Sequence, residues 1–191
     1  MALHYGVQLT RPVWGHRSDT KGGRTPFILG GIAVVGAGVL GAAWGIMVAE
    51  SAVAMALIVW TVSYIAIGLG IGAAGTSFLA LLASASGARK GGVATTAWLF
   101  LIAGAIAASV GTGIALEPYS PARLVSVVAV VVVIAFLFCV LATAGVERRM
   151  APVPVDAAEP LMAALRTTWA DPVARRFTGF VFLSILAFYL S

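Results

Sequence analysis

Residues Thr25–Ala49 read TPFILGGIAVVGAGVLGAAWGIMVA, a run of 25 residues without a charged side chain. At about 1.5 Å of rise per residue such a run forms a helix long enough to cross a hydrocarbon core roughly 30 Å thick. Three more uncharged blocks follow: Ser51–Ala88 with 38 residues, Gly91–Leu116 with 26 and Leu124–Val146 with 23. Each predicts one membrane span, at about 26–48, 52–83, 93–116 and 122–145. The 38-residue block is too long for one plain span and short for two with a turn, so it predicts one long helix that protrudes from the bilayer. The ends differ. Residues 1–14 form an apolar partial helix and Phe177–Ser191 supplies only 15 residues, so neither crosses alone. The expectation is a piece of a longer membrane protein, with four whole spans and two partial ones.

Composition agrees. Of 191 residues 61% are hydrophobic and 10% charged, with a mean hydropathy of +1.03. Soluble domains carry about 25% charged residues, so a soluble enzyme, a disordered chain and a nucleic-acid module are excluded. The net charge of +5 is a matter of placement. Arg11, Arg17, Lys21 and Arg24, then Arg89 and Lys90, then Arg148, Arg149, Arg166, Arg175 and Arg176 fall on alternate loops; only Arg123 lies on the other side. An excess of Lys and Arg marks the cytoplasmic side. The basic balance therefore reports topology, and nucleic acid is not an expected partner. The lone Cys139 builds no disulfide or thiolate metal site and reads as a small packing residue. No paired carboxylates, phosphate loop or nucleophile–base set is visible, so no catalytic residue, resident metal site or enzyme activity is expected.

Thr25-Pro26, Ser120-Pro121 and Asp171-Pro172 each predict an N-cap followed by a proline at the first helical position. APVPVD at 151–156 reads as a linker. Beyond it Leu161, Leu165 and Trp169 share one face of a short helix, which fits either an interfacial helix or a plain linker helix packed on the protein. Within the spans Ala37, Gly41 and Gly45, and then Gly68, Gly72 and Thr76, recur at four-residue spacing. Lipid gives helices no hydrophobic reason to associate, and small residues allow the close backbone contact that replaces it. The valine-rich fourth span is expected to face lipid or another protein more than its neighbours.

The loop before Thr25 carries a motif. In GHRSDTKGGR, residues 15–24, the residues Gly15, Asp19, Gly22 and Arg24 match G-x-x-x-D-x-x-G-x-[RK]. The match resembles the cytoplasmic loop between helices 2 and 3 of major facilitator superfamily transporters. Glycines suit a tight hinge and Asp19 can accept hydrogen bonds there; a generic basic loop is the alternative. The resemblance implies an all-α integral membrane fragment of a 12-helix major facilitator-like fold, from the end of helix 2 to the start of helix 7. Residues 1–146 would belong to the N-terminal six-helix half, 147–174 to the central cytoplasmic loop with its interfacial helix, and 175–191 to the start of the C-terminal half.

Longer strings narrow this further. ALHYGVQLTRPVWGHRSDT (2–20), GIGAAGTSFLALLA (70–83), EPYSPARL (117–124) and RRFTGFVFLSILAF (175–188) resemble the PucC/LhaA family of purple-bacterial photosynthetic membrane proteins. That resemblance implies assembly of light-harvesting antenna complexes in the inner, intracytoplasmic photosynthetic membrane. It also implies antenna polypeptides and the reaction centre as partners, with bacteriochlorophyll as a pigment to bind or deliver. Departures from ordinary transporters point the same way: Tyr64 and Ile65 stand where proton-coupled members often have an arginine, and SVGTGI at 109–114 lacks their Gly-Pro. The span interiors hold no Asp, Glu, Lys, Arg or His, the groups that usually mark ion pathways. A secondary transporter of a small solute and a structural subunit of a photosynthetic supercomplex remain alternatives. For pigment, His4 is the candidate magnesium ligand, or else an interhelical hydrogen-bonding group; Tyr64 and Trp98 could stack on a ring or serve as packing and interface anchors.

Overall fold

A computed structural model describes residues 10–20, 23–86, 90–147 and 161–190. Every regular element among them is helical: α1 (Arg11–Thr20), α2 (Thr25–Ala49), α3 (Val53–Ala85), α4 (Lys90–Ala115), α5 (Pro121–Thr143), α6 (Leu161–Ala170) and α7 (Pro172–Leu190). The helices α2 to α5 are long and apolar enough to cross a membrane. In lipid each backbone N–H and C=O must find its partner within the segment, which only the helix allows for an isolated span. Helix α3 is one uninterrupted element of 33 residues, about 50 Å long. The chain divides into two compact units, Met1–Val153 and Pro154–Ser191.

In the first unit, α2 and α3 pack against each other along their lengths, running antiparallel after the short connection at residues 50–52. Their seam is built from glycine at seven-residue spacing. A Cβ on Gly31 would lie 2.6 Å from the Ala74 nitrogen, one on Gly38 would lie 2.8 Å from the Ser63 carbonyl oxygen, and one on Gly45 would lie 2.5 Å from Trp60 Nε1. Gly70 answers from α3, where a Cβ would stand 2.5 Å from the Gly31 carbonyl oxygen. A seven-residue repeat keeps a seam facing its partner along a gently supercoiled pair. Dispersion contacts between close backbones therefore hold the pair together where hydrophobic burial cannot. Trp60 adds a cross-helix hydrogen bond, its Nε1 donating to Ala42 O at 3.0 Å.

Around this pair α5 lies on α2, with Val132 filling the space beside Gly36, and α1 lies on α3. Helix α4 is nearly free of its neighbours, and none of its described side chains is buried. The expectation that the valine-rich fourth span would be the least covered is thus corrected: α4 is, because α5 finds a groove at Gly36 while the glycines 104, 111 and 113 of α4 have nothing within reach. Arg123, the exception to the charge asymmetry, has a local task. Its Nε donates to Ala115 O at 2.8 Å, placing a cation on the C-terminal carbonyls of α4.

Two helix starts follow the sequence and one does not. Ser120 Oγ accepts the Arg123 N–H at 3.1 Å, and Asp171 Oδ1 accepts the Val173 N–H at 2.8 Å. Thr25, by contrast, is already helical; Arg24 stands at the cap position without a side-chain cap bond. A distant carboxylate, Glu147, takes the Arg24 N–H instead.

Candidate functional site

Of the motif residues, Arg24 stands where α2 begins and α3 finishes, and Gly15 lies on α1 against Thr76 of α3. The expected loop is in large part a helix, since α1 runs through Gly15 to Thr20. Pro12 costs nothing in a first turn, where its missing N–H would be unpaired anyway. Trp14 Nε1 donates to Thr10 Oγ1 at 3.0 Å, and Ser18, 1% exposed, donates to Gly15 O at 2.9 Å. The Arg17 guanidinium stands 5.9 Å from the Trp14 ring centroid, a cation–π contact. Gly15 therefore does not act as a turn glycine: a Cβ there would sit 3.1 Å from Thr76 Cγ2, so its use is the close approach of α1 to α3. Gly22 lies outside the described residues, and Asp19 is placed only as a position in the last turn of α1.

Arg24 is the tie among the elements. Its guanidinium donates to Ala80 O at 2.8 Å and to Ser84 Oγ, while Ser84 Oγ also donates to Ala80 O at 3.0 Å. A cation thus rests on the C-terminal end of α3, where the helix dipole is negative. With Glu147 on its backbone N–H, Arg24 joins α2, the end of α3 and the turn after α5. Sequence reading found Arg24 but missed Ser84 and Glu147. The available signal was weak: a single carboxylate closing the last uncharged block.

Toward the other end of the spans Val39 and Ile46 of α2, Trp60 and Tyr64 of α3, and Leu124 and Val128 of α5 line an open groove of about 540 Å³. Tyr64 is 47% exposed and shares the groove with Trp60, whereas Trp98 on α4 is 62% exposed and does not line it. The two aromatic candidates are therefore not brought together, and His4 lies outside the described residues. The groove can hold a flat apolar group against an indole and a phenol. It offers no imidazole, so its described residues do not fit histidine ligation of a chlorin magnesium. No group of three or more His, Cys, Asp or Glu suited to a metal ion occurs among the described residues.

Of the glycines expected at the packing surface, Gly41 faces Ser63, Gly45 faces Trp60, and Gly68 is buried. Gly72 meets Trp14 of α1 at an ordinary 3.5 Å. Gly41 and Gly45 are among the tightest positions, each with a would-be Cβ 2.5 Å from its neighbour; Gly31, Gly38 and Gly70, which press on backbone atoms of the facing helix, fall outside the four-residue pattern.

A family model described as PUCC protein matches residues 1–191, the whole chain. The chain belongs to the PUCC family. Among curated proteins, a 48% identical relative over 193 aligned residues is the "Bacteriochlorophyll synthase 44.5 kDa chain" of Rhodobacter capsulatus. The alignment takes in 100% of this PUCC chain and 45% of that relative, so the chain spans less than half the length of the curated protein it matches. No solved structure matches.

Proposed function

We propose that this chain is part of a membrane assembly factor for bacterial light-harvesting antenna complexes. The observation that carries the proposal is the PUCC match along all 191 residues, reinforced by a relative whose printed name concerns bacteriochlorophyll. In this reading α2 to α5 take the places of helices 3 to 6 of a major facilitator-like half, and residues 147–174 are the central loop between the two halves. Eleven of the twelve basic residues would then be cytoplasmic, in the intracytoplasmic photosynthetic membrane. The helices serve as a docking scaffold, and catalysis is assigned to none of them. The exposed, glycine-bearing α4 supplies a surface on which an antenna helix could dock.

Pigment handling is the finer part of the proposal. A bacteriochlorophyll macrocycle would stack in the apolar Trp60–Tyr64 groove, which supplies no histidine for its magnesium; His4 is a separate candidate ligand, outside the described residues. Solute transport is disfavoured by span interiors without Asp, Glu, Lys, Arg or His. The test is gentle purification of the full-length protein, followed by near-infrared absorption and identification of what co-purifies. Substoichiometric antenna polypeptides support assembly, and a near-infrared band that falls in His4→Leu supports ligation. Stoichiometric recovery with reaction centres would instead mark a structural subunit. Substrate-dependent uptake into vesicles, with neither pigment nor antenna polypeptide recovered, would mark a transporter.

A further inference from the structure

The second unit presents a surface that antenna assembly leaves unused. On α6 Met162 is 76% and Trp169 60% exposed, and the two are seven residues apart, on one face of the helix. Arg166 borders that face, while Ala163 and Thr167 occupy the opposite one. The joint to α7 is a single residue. The Asp171 N–H donates to Thr168 O at 3.3 Å, its carbonyl accepts the Arg175 N–H at 3.0 Å, and its carboxylate accepts the Val173 N–H at 2.8 Å. Immediately after come Arg175 and Arg176, and then the exposed apolar residues Phe177, Phe180, Phe182 and Leu183.

This order fixes depth. Arginines at the edge of an apolar helix sit at headgroup level, their stems along the acyl boundary and their guanidinium groups on phosphate. Trp169 precedes Phe177 by only eight residues, at most about 12 Å of helical rise, so the end of α6 cannot leave the interfacial layer. Helix α6 combines an exposed tryptophan, an apolar face and a basic rim, the composition of an in-plane interfacial helix. The segment 161–190 carries three arginines against one aspartate, which is occupied in capping α7.

We propose that α6 lies in the headgroup layer of an anionic bilayer, with Met162 and Trp169 at the acyl boundary and Arg166, Arg175 and Arg176 on lipid phosphates. Anionic lipid then sets the orientation in which the chain enters α7. The occupant of the apolar face is the lipid surface; a protein partner is the competing outcome.

The test uses the full-length protein carrying Cys139→Ala and Met162→Cys, spin-labelled and reconstituted into vesicles of phosphatidylcholine alone or with phosphatidylglycerol. In anionic vesicles the label should collide more with oxygen than with a water-soluble nickel chelate. Its aqueous accessibility should rise several-fold in neutral vesicles, in 1 M salt, and in Arg166→Gln/Arg175→Gln/Arg176→Gln. The salt and lipid comparisons need no further substitution and hold even if the triple variant folds poorly. A label equally exposed to water in both vesicle types overturns the proposal. So does a label shielded from both reagents everywhere, the signature of a protein partner.

Discussion

Adding one methyl group at Gly31 tests how the spans are held together. The new Cβ would stand 2.6 Å from the Ala74 nitrogen, 2.7 Å from the Gly70 carbonyl oxygen and 2.8 Å from the Ala74 Cβ. Ordinary contact begins at 3.4 Å, and two of the three atoms are backbone, so no rotamer change relieves the clash. Helices α2 and α3 must separate by most of 1 Å, an overpacking cost of about 1–3 kcal/mol. The separation also loosens the contacts at Gly38 and Gly70 along the same seam. Replacing glycine by alanine returns up to about 1 kcal/mol of helix propensity, so the effect must be read against a matched control. Gly30 provides it: one residue earlier in α2, with nothing within 4 Å of its would-be Cβ. Gly30→Ala should be neutral or stabilising by up to about 1 kcal/mol, and Gly31→Ala, which shares that propensity gain, should fall below it by the overpacking cost, roughly 1–3 kcal/mol. Denaturant titration of the purified full-length protein in mild detergent, followed by far-ultraviolet circular dichroism, gives the two midpoints. Equal midpoints, or a higher one for Gly31→Ala, would refute the glycine seam.

Other substitutions probe single contacts. Glu147→Leu removes the acceptor of the Arg24 N–H and should cost about 1–2 kcal/mol, while Glu147→Gln, which keeps an acceptor oxygen, should cost less; the same titration ranks them. Arg24→Leu should lower the midpoint further, because it strips donors from both Ala80 O and Ser84 Oγ. Ser77 is fully buried and its hydroxyl has no hydrogen-bond partner among the described residues, so Ser77→Ala should leave thermal stability unchanged or raise it; a clear loss would show that the hydroxyl is paired. Ser120→Ala should cost about 1 kcal/mol through the lost cap of α5, seen as faster amide exchange in its first turn.

What was legible in the residues follows from where charges are forbidden. The uncharged blocks located α2 to α5 because a charge inside lipid is costly, and that constraint acts locally on sequence. The Ser120 and Asp171 caps were equally local. The second half of α1, residues 15–20, reads as loop in the sequence because Arg17 and Asp19 look like loop residues, and nothing local shows that Trp14 and Gly15 rest on α3. Arg24 and Glu147 are 123 positions apart, and no spacing rule pairs them. The glycine seam was legible in principle. Residues 31, 38 and 45 repeat every seven, but a four-residue pattern through Ala37, Gly41 and Gly45 overlaps it in the same helix, and local spacing does not rank the two.

The central claim is that a protein of this family builds antenna complexes. The most direct measurement is the near-infrared absorption of membranes from a photosynthetic host with the full-length gene deleted, before and after its restoration. Antenna bands should fall several-fold relative to the reaction-centre band and return on restoration. Antenna bands unchanged by the deletion would contradict the account.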